Sequence, residues 1–138
     1  MDPLLKELHY KSGVAVVRHA PPELAGTLQA WQDNGVDVDP MLMPGAGFVL
    51  VFVTSPAEID KQAKDVVAAL APDDPILWFA YPEKDSARYT SDADGENPWT
   101  ALEDLGLKSV RKVAIDEKWS AQWFRHPGAG PFEIRPLP

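Results

Sequence analysis

One segment restricts the fold of this chain more than any other, because six consecutive apolar residues lead almost directly into a helix start. The run at 48–53, Phe-Val-Leu-Val-Phe-Val, is typical of a strand buried on both faces. Ser55-Pro56-Ala57-Glu58 follows it and has the form of a capping box with proline at the first helical position. The segment therefore predicts a β-α unit in which Ser55 bonds the N3 amide and Glu58 reaches back to the cap.

The same alternation of strand and helix continues along most of the chain. Further strands are predicted at 14–17, 36–38 and 76–81, and further helices from Pro3 to about residue 12, at 22–32 and from Pro98 to Leu105. Parallel neighbours need crossover connections, so this order predicts a mostly parallel sheet with helices on both faces. Residues 110–125 have a period of two, which indicates an antiparallel hairpin at the sheet edge. The predicted fold class is an α/β three-layer sandwich.

The length of 138 residues favours one domain. We expect residues 1–125 to form a single α/β domain. Residues 126–138 contain four prolines and two glycines, which predicts an extended, proline-rich tail.

Charge and cysteine content exclude several classes of function. The formal net charge of -8 disfavours nucleic acid as a partner, because such binding depends on cationic side chains. Cysteine is absent, which excludes disulfides and thiolate metal sites. The first residues lack a long apolar run, so we expect a soluble, cytoplasmic protein with no membrane partner.

Candidate ligand-binding residues follow the predicted strands, at the edge where open α/β sheets bind ligands. The candidate set consists of His19, Ser55, Lys84, Ser86, Arg88 and Asp92. His19 is either a general acid or base, or a strand-end histidine bonded to a neighbouring carboxylate or carbonyl. The segment 84–90 is either an anion site near the Ser55 helix or a charge-balanced loop.

The loop after the first strand lacks the glycines of a nucleotide-binding loop. It reads His19-Ala20-Pro21-Pro22, and its two prolines have no amide hydrogen to donate. We therefore expect no cofactor. No histidine pair has the spacing of metal ligands, so no metal site is predicted either.

Trp119 and Trp123 share one face of the predicted hairpin. Such a pair packs either on the core of its own chain or on the hairpin of a second subunit, which would make the protein a homodimer.

Three further motifs are shared with a known group of sequences. The chain has Ala20-Pro21 after its first strand, Tyr-Pro-x-Lys-x-Ser at 81–86 and Ile-Asp-x-x-Trp-Ser-Ala-x-x-Phe-Arg at 115–125. In these it resembles a small bacterial family of unknown function, and the order of elements is similar to the Rossmann-like methyltransferase fold. The resemblance implies a fold and no activity.

Two main hypotheses of function remain open. The first is a noncatalytic module that binds a small ligand or a protein partner at the carboxyl edge of the sheet. The second is a degenerate methyltransferase-like enzyme with a small pocket at that edge, and a purely structural role is a third alternative. The absence of a glycine-rich loop, a catalytic triad or a metal cluster favours the first.

Overall fold

The computed structural model describes residues 2–85 and 98–126. The strands in this part of the chain are β1 (Val14–Arg18), β2 (Asp37–Asp39), β3 (Phe48–Phe52), β4 (Ile76–Pro82), β5 (Lys108–Ala114) and β6 (Trp119–Arg125). The helices are α1 (Pro3–Glu7), α2 (Ala25–Asp33), α3 (Pro56–Ala69) and α4 (Thr100–Asp104), with 3-10 turns at Pro22–Leu24 and Glu83–Asp85.

All six strands form one sheet in the order β2-β1-β3-β4-β6-β5. The neighbours from β2 to β4 are parallel, whereas β6 runs antiparallel to both β4 and β5. The predicted fold class is confirmed: the protein is a Rossmann-like α/β sandwich with a C-terminal antiparallel hairpin. The chain moves from β1 to β2 on one side and then returns to β3 on the other, so the strand order reverses between β1 and β3.

Each face of the sheet is covered by its own hydrophobic cluster. One face, here called the lid face, packs against Leu5 of α1 and Trp31 of α2. The opposite face, here called the α3 face, packs against Ile59 of α3 and Leu102 of α4. β3 contributes to both clusters with all five of its residues buried, which explains its uninterrupted apolar sequence.

Helix α1 forms a lid over the sheet. The sequence predicts its start at Pro3 correctly but places its end too late, near residue 12. The carboxylate of Asp2 caps it by accepting the amides of Leu4 and Leu5 at 2.8 and 3.2 Å. The helix stops at Glu7 because His9 is left-handed, with φ 62°, and the amide of Tyr10 bonds the carbonyl of Leu5. This Schellman-type ending was not foreseen, since histidine rather than glycine occupies the left-handed position.

The two tryptophans of the hairpin lie in the core of their own chain. Trp119 and Trp123 are 6% and 2% exposed. The ring of Trp123 stacks on Trp78 at 5.5 Å, and Phe52 meets Trp119 edge-on at 5.2 Å. Of the two packing alternatives for this pair, the structure shows the intrachain one.

Arg125 ends β6 with a buried guanidinium. The residue is 3% exposed and forms an ion pair with Asp74, in the turn before β4. Burying a charged pair of this kind costs desolvation energy, and removing one partner is strongly destabilising.

Among the described helices, none is both long and apolar enough to cross a membrane.

Candidate functional site

Three of the six candidate residues lie at one edge of the sheet. His19 follows β1, Ser55 follows β3 and Lys84 follows β4, and these three strands are consecutive parallel neighbours. The structure therefore places the three residues at the carboxyl edge, as the sequence predicted. Ser86, Arg88 and Asp92 lie outside the described residues.

His19 has an unusual backbone conformation. Its φ is 61°, in the left-handed region that few non-glycine residues adopt, although histidine is among those that adopt it most often. The side chain is exposed, and its imidazole makes no hydrogen bond to any residue in the described ranges. The neighbouring Arg18 is directed elsewhere, because its Nε donates to Oε1 of Gln62 on α3 at 3.0 Å. The imidazole is thus presented to solvent at the point where β1 ends.

Ser55 caps helix α3, but the predicted capping box is only half correct. The Ser55 hydroxyl accepts the amide of Glu58 at 3.4 Å, as expected. The Glu58 carboxylate does not accept from the Ser55 amide. Its Oε1 accepts from the Thr54 amide at 2.8 Å, and its Oε2 accepts from the Thr54 hydroxyl at 3.1 Å. A carboxylate has two oxygens, so Glu58 can accept from both the amide and the hydroxyl of Thr54. At Ser55 it would find only the backbone amide, because the hydroxyl already serves as the cap.

This arrangement alters the expectation of an anion site near Ser55. A helix N-terminus attracts anions because its amides are unpaired and its dipole is positive there. Here the Ser55 hydroxyl occupies one of those amides, and the Glu58 carboxylate already supplies negative charge beside it. An incoming phosphate would meet like charge, so the described part of this edge is better suited to a neutral or cationic ligand.

Two more carboxylates at this edge are held by the start of β6. The indole Nε1 of Trp119 donates to Glu23 at 3.0 Å, and the hydroxyl of Ser120 donates to Glu83. The hydrogen bond from Trp119 is the main reason that the pKa of Glu23 is lowered, with a smaller contribution from the Lys118 charge. Sequence reasoning missed both contacts, because the paired residues are 96 and 37 positions apart.

The connection from β1 to α2 is short and contains no glycine. Pro21 and Pro22 have no amide hydrogen, and the amide of Leu24 bonds the carbonyl of Pro21 within the 3-10 turn. A phosphate-binding loop of the glycine-rich type would need free amides at this point. Among the described residues, no group of three or more His, Asp or Glu side chains could hold a metal ion.

No protein-family model matches the chain, and no curated protein is significantly similar to it. The resemblance to a bacterial family of unknown function therefore stays a prediction.

Several solved structures are similar to this one at low sequence identity. The ribosomal protein L11 methylase from Lactobacillus delbrueckii subsp. bulgaricus is 10% identical, with 84% of this chain and 58% of that chain covered and a TM-score of 0.48. The PH0226 protein from Pyrococcus horikoshii OT3 is 10% identical over 88% and 74% of the two chains, with a TM-score of 0.46. The N-methyltransferase NodS from Bradyrhizobium japonicum WM9 is 18% identical over 82% and 72%, with a TM-score of 0.45. This chain thus spans less than two thirds of the first of these proteins, and likeness of this extent carries no activity.

Proposed function

We propose that the protein is a noncatalytic module that binds a small ligand at the carboxyl edge of its sheet, between β1 and β3. Open α/β sheets bind their ligands where the strand order reverses, and in this sheet that point lies between these two strands. The observation that carries the proposal is the left-handed backbone of His19, which holds an exposed imidazole at that point. Strained backbone of this kind clusters at ligand sites.

The charges in the described part of the edge favour one class of ligand. Glu23, Glu58 and Glu83 all lie there, and each already accepts at least one hydrogen bond from the protein. Carboxylates repel polyphosphates and accept hydrogen bonds from hydroxyl and ammonium groups. A small polyol or a small amine is therefore the ligand class we propose, with His19 and Lys84 at its margin.

Thermal melting against a set of nucleotides, S-adenosylmethionine, phosphates, small acids, sugars and amines tests the proposal. A ligand of the native state raises the melting temperature as its concentration exceeds its dissociation constant. We expect a shift with a polyol or an amine that His19→Gly abolishes and that Lys61→Ala, an exposed change on α3, leaves unchanged. A flat response across the set would contradict ligand binding and favour a protein partner.

A methyltransferase-like enzyme is the second candidate, favoured by the strand-order reversal, where nucleotide-type cofactors bind in doubly wound sheets. This candidate requires measurable affinity for S-adenosylmethionine. Isothermal titration that gives no heat with this compound would remove it. Reproducible turnover that is lost on His19→Ala or Lys84→Ala would instead overturn the noncatalytic proposal.

A homodimer through the C-terminal hairpin stays a proposal, and the charges of the edge strand limit how two copies could pair. Strand β5 is the outermost strand on this side of the described sheet and carries Lys108, Arg111 and Lys112. Pairing two copies of β5 would bring these cations together, and like charges opposite each other destabilise a sheet. Light scattering of the purified protein would decide the oligomeric state.

A further inference from the structure

A second region of the sheet, away from His19, has no described helix over it, in contrast to the central strands β3 and β4. On the α3 face, Val14 and Val16 of β1 lie beside Asp37 and Asp39 of β2 in the parallel register. The chain returns from β2 to β3 over this face through residues 40–47, which contain no helix. A crossover with its helix needs about ten or more residues, so this connection is too short to bring one. Val14 is consequently 42% exposed, whereas Val16 is buried, and Leu42 and Ala46 of the connection pack against the cluster that contains it.

This region without a helix forms a groove of about 560 Å³. Val14, Val16, Met41, Met43 and Gly47 contribute to its lining. Met41 and Met43 are 61% and 55% exposed, and together with Val14 they form an apolar patch at the surface. The volume lies within the range of small-molecule sites, and methionine adapts its shape to apolar ligands.

One charged side chain is present in the described lining of this groove. Asp39 ends β2, and its Oδ1 accepts the amide of Met41 at 2.9 Å, which fixes the carboxylate against the loop. A carboxylate at the margin of an apolar groove favours a ligand with a cationic or hydrogen-bond-donating group. The net charge of -8 acts in the same direction by attracting cations to the protein.

We propose that this groove binds a small amphipathic amine, with its apolar body against Met41 and Met43 and its ammonium group near Asp39. The alternative occupant, a second copy of the chain paired through β2, is disfavoured by charge. Antiparallel pairing of two β2 strands would place Asp37 and Asp39 of one copy against the same residues of the other. A cationic small molecule meets no such repulsion.

The methionine methyl groups allow a direct test on the full-length protein. The chain has three methionines, and two of them, Met41 and Met43, line the groove, so ¹³C-methyl NMR reports on it. The probes are tryptamine, neutral 3-methylindole and anionic indole-3-acetate, which share one ring and differ in charge. We expect tryptamine to shift the Met41 and Met43 signals and to bind about three- to fivefold more tightly than 3-methylindole, as for a partly exposed ion pair. Equal or tighter binding of indole-3-acetate would overturn the charge assignment.

Two pairs of variants separate the site from general effects. A Cβ added at Gly47 meets no heavy atom within 4 Å, and the same holds for Gly26 on α2. Gly47→Leu is expected to abolish the tryptamine shifts, whereas Gly26→Leu keeps them. Asp39→Asn keeps an acceptor for the Met41 amide and is expected to remove the preference for tryptamine, whereas Asp60→Asn, an exposed change on α3, leaves it intact.

Three results would refute the groove proposal. One is the absence of tryptamine shifts at Met41 and Met43 in a protein whose amide spectrum shows that it is folded. Another is persistence of those shifts in Gly47→Leu. The third is a change of both signals with protein concentration alone, which would identify a second copy of the chain as the occupant. None of these results affects the proposal at His19, which is tested by its own variant.

Discussion

His19 illustrates how a single residue can carry a cost in stability at a place where ligands bind. A left-handed conformation costs a residue with a Cβ about 1–2 kcal/mol, whereas glycine adopts it freely but loses more chain entropy on folding. The φ of 61° therefore makes His19 a position where the natural side chain is not the most stable choice. Such a choice is expected where the side chain has a function.

Replacing His19 by glycine is expected to stabilise the protein by about 0.5–1 kcal/mol, because the strain of the Cβ is relieved. His19→Ala keeps the Cβ and is the matched control, since it removes the imidazole alone. Urea unfolding of the two variants measures the difference. A glycine variant less stable than the alanine variant would show that the backbone of His19 is not strained.

Glu23 is a second residue whose behaviour depends on one contact. The indole of Trp119 donates a hydrogen bond to the Glu23 carboxylate. This hydrogen bond is the main reason that the pKa of Glu23 lies below its ordinary value of 4.5. A lowered pKa in the folded state means that the ionised form is the stabilised one. Its contribution to stability is therefore present above about pH 4.5 and is lost as the pH falls through the lowered value.

Trp119→Phe is expected to raise the pKa of Glu23 toward its ordinary value, because phenylalanine has no donor. Trp31→Phe is a matched control: Trp31 is equally a core residue, and its indole nitrogen bonds no group in the described ranges. Carboxyl ¹³C titration by NMR measures the pKa in each protein. The interpretation is wrong if the Trp119 variant titrates with the same Glu23 pKa as the natural protein.

At the scale of elements, prediction from the sequence succeeded where one local signal determines the structure. The strand predicted at 48–53 spans Phe48–Phe52, and the helix predicted from Pro56 ends at Ala69. Both predictions depend on local signals, namely an apolar run, a capping serine and a proline that lie within a few residues of each other. The end of α1 was predicted too late, since nothing in the sequence marks His9 as left-handed. The contact of Trp119 with Glu23 joins elements 96 positions apart, so it depends on the order of the strands in the sheet, which the periodicity of each strand does not encode.

Helix α1 shows that a short element can be stabilised by packing rather than by its own helix propensity. It has five residues, too few for a stable isolated helix, yet Leu5 and Leu8 are fully buried. The Leu8 carbonyl also accepts the indole Nε1 of Trp78 at 2.8 Å. The lid is therefore attached to the sheet by apolar contacts and one buried hydrogen bond.

Leu5→Ala is expected to destabilise the protein by about 2–5 kcal/mol, because it leaves a cavity between the lid and the sheet. Loss of the cap in Asp2→Ala should cost about 1 kcal/mol. Lys6→Ala changes an exposed position of the same helix and serves as the control. Urea midpoints that are equal for the Leu5 and Lys6 variants would show that α1 does not contribute to stability.

At the scale of the whole molecule, the described sheet has a protected centre and two polar edges. Strands β3 and β4 lie between other strands and are covered on both faces. The outermost strand on one side is β2, which has three residues with aspartate at both ends, and on the other side it is β5, which is rich in lysine and arginine. Short or charged edge strands hinder pairing with other chains.

This arrangement predicts a gradient of local stability that hydrogen exchange can measure. Amides open in cooperative units, and those in the centre of the core exchange only with global unfolding. We therefore expect the slowest exchange in β3 and β4, faster exchange in β6, and the fastest among the strands in β2, which has the fewest residues and no described strand on its outer side. A ligand in the groove beside Met41 would slow exchange in β2 and leave β6 unchanged, whereas a ligand at His19 would act first on the end of β1. Uniform protection across all six strands would instead mean that the sheet opens only as a whole, with no separate contribution from its edges.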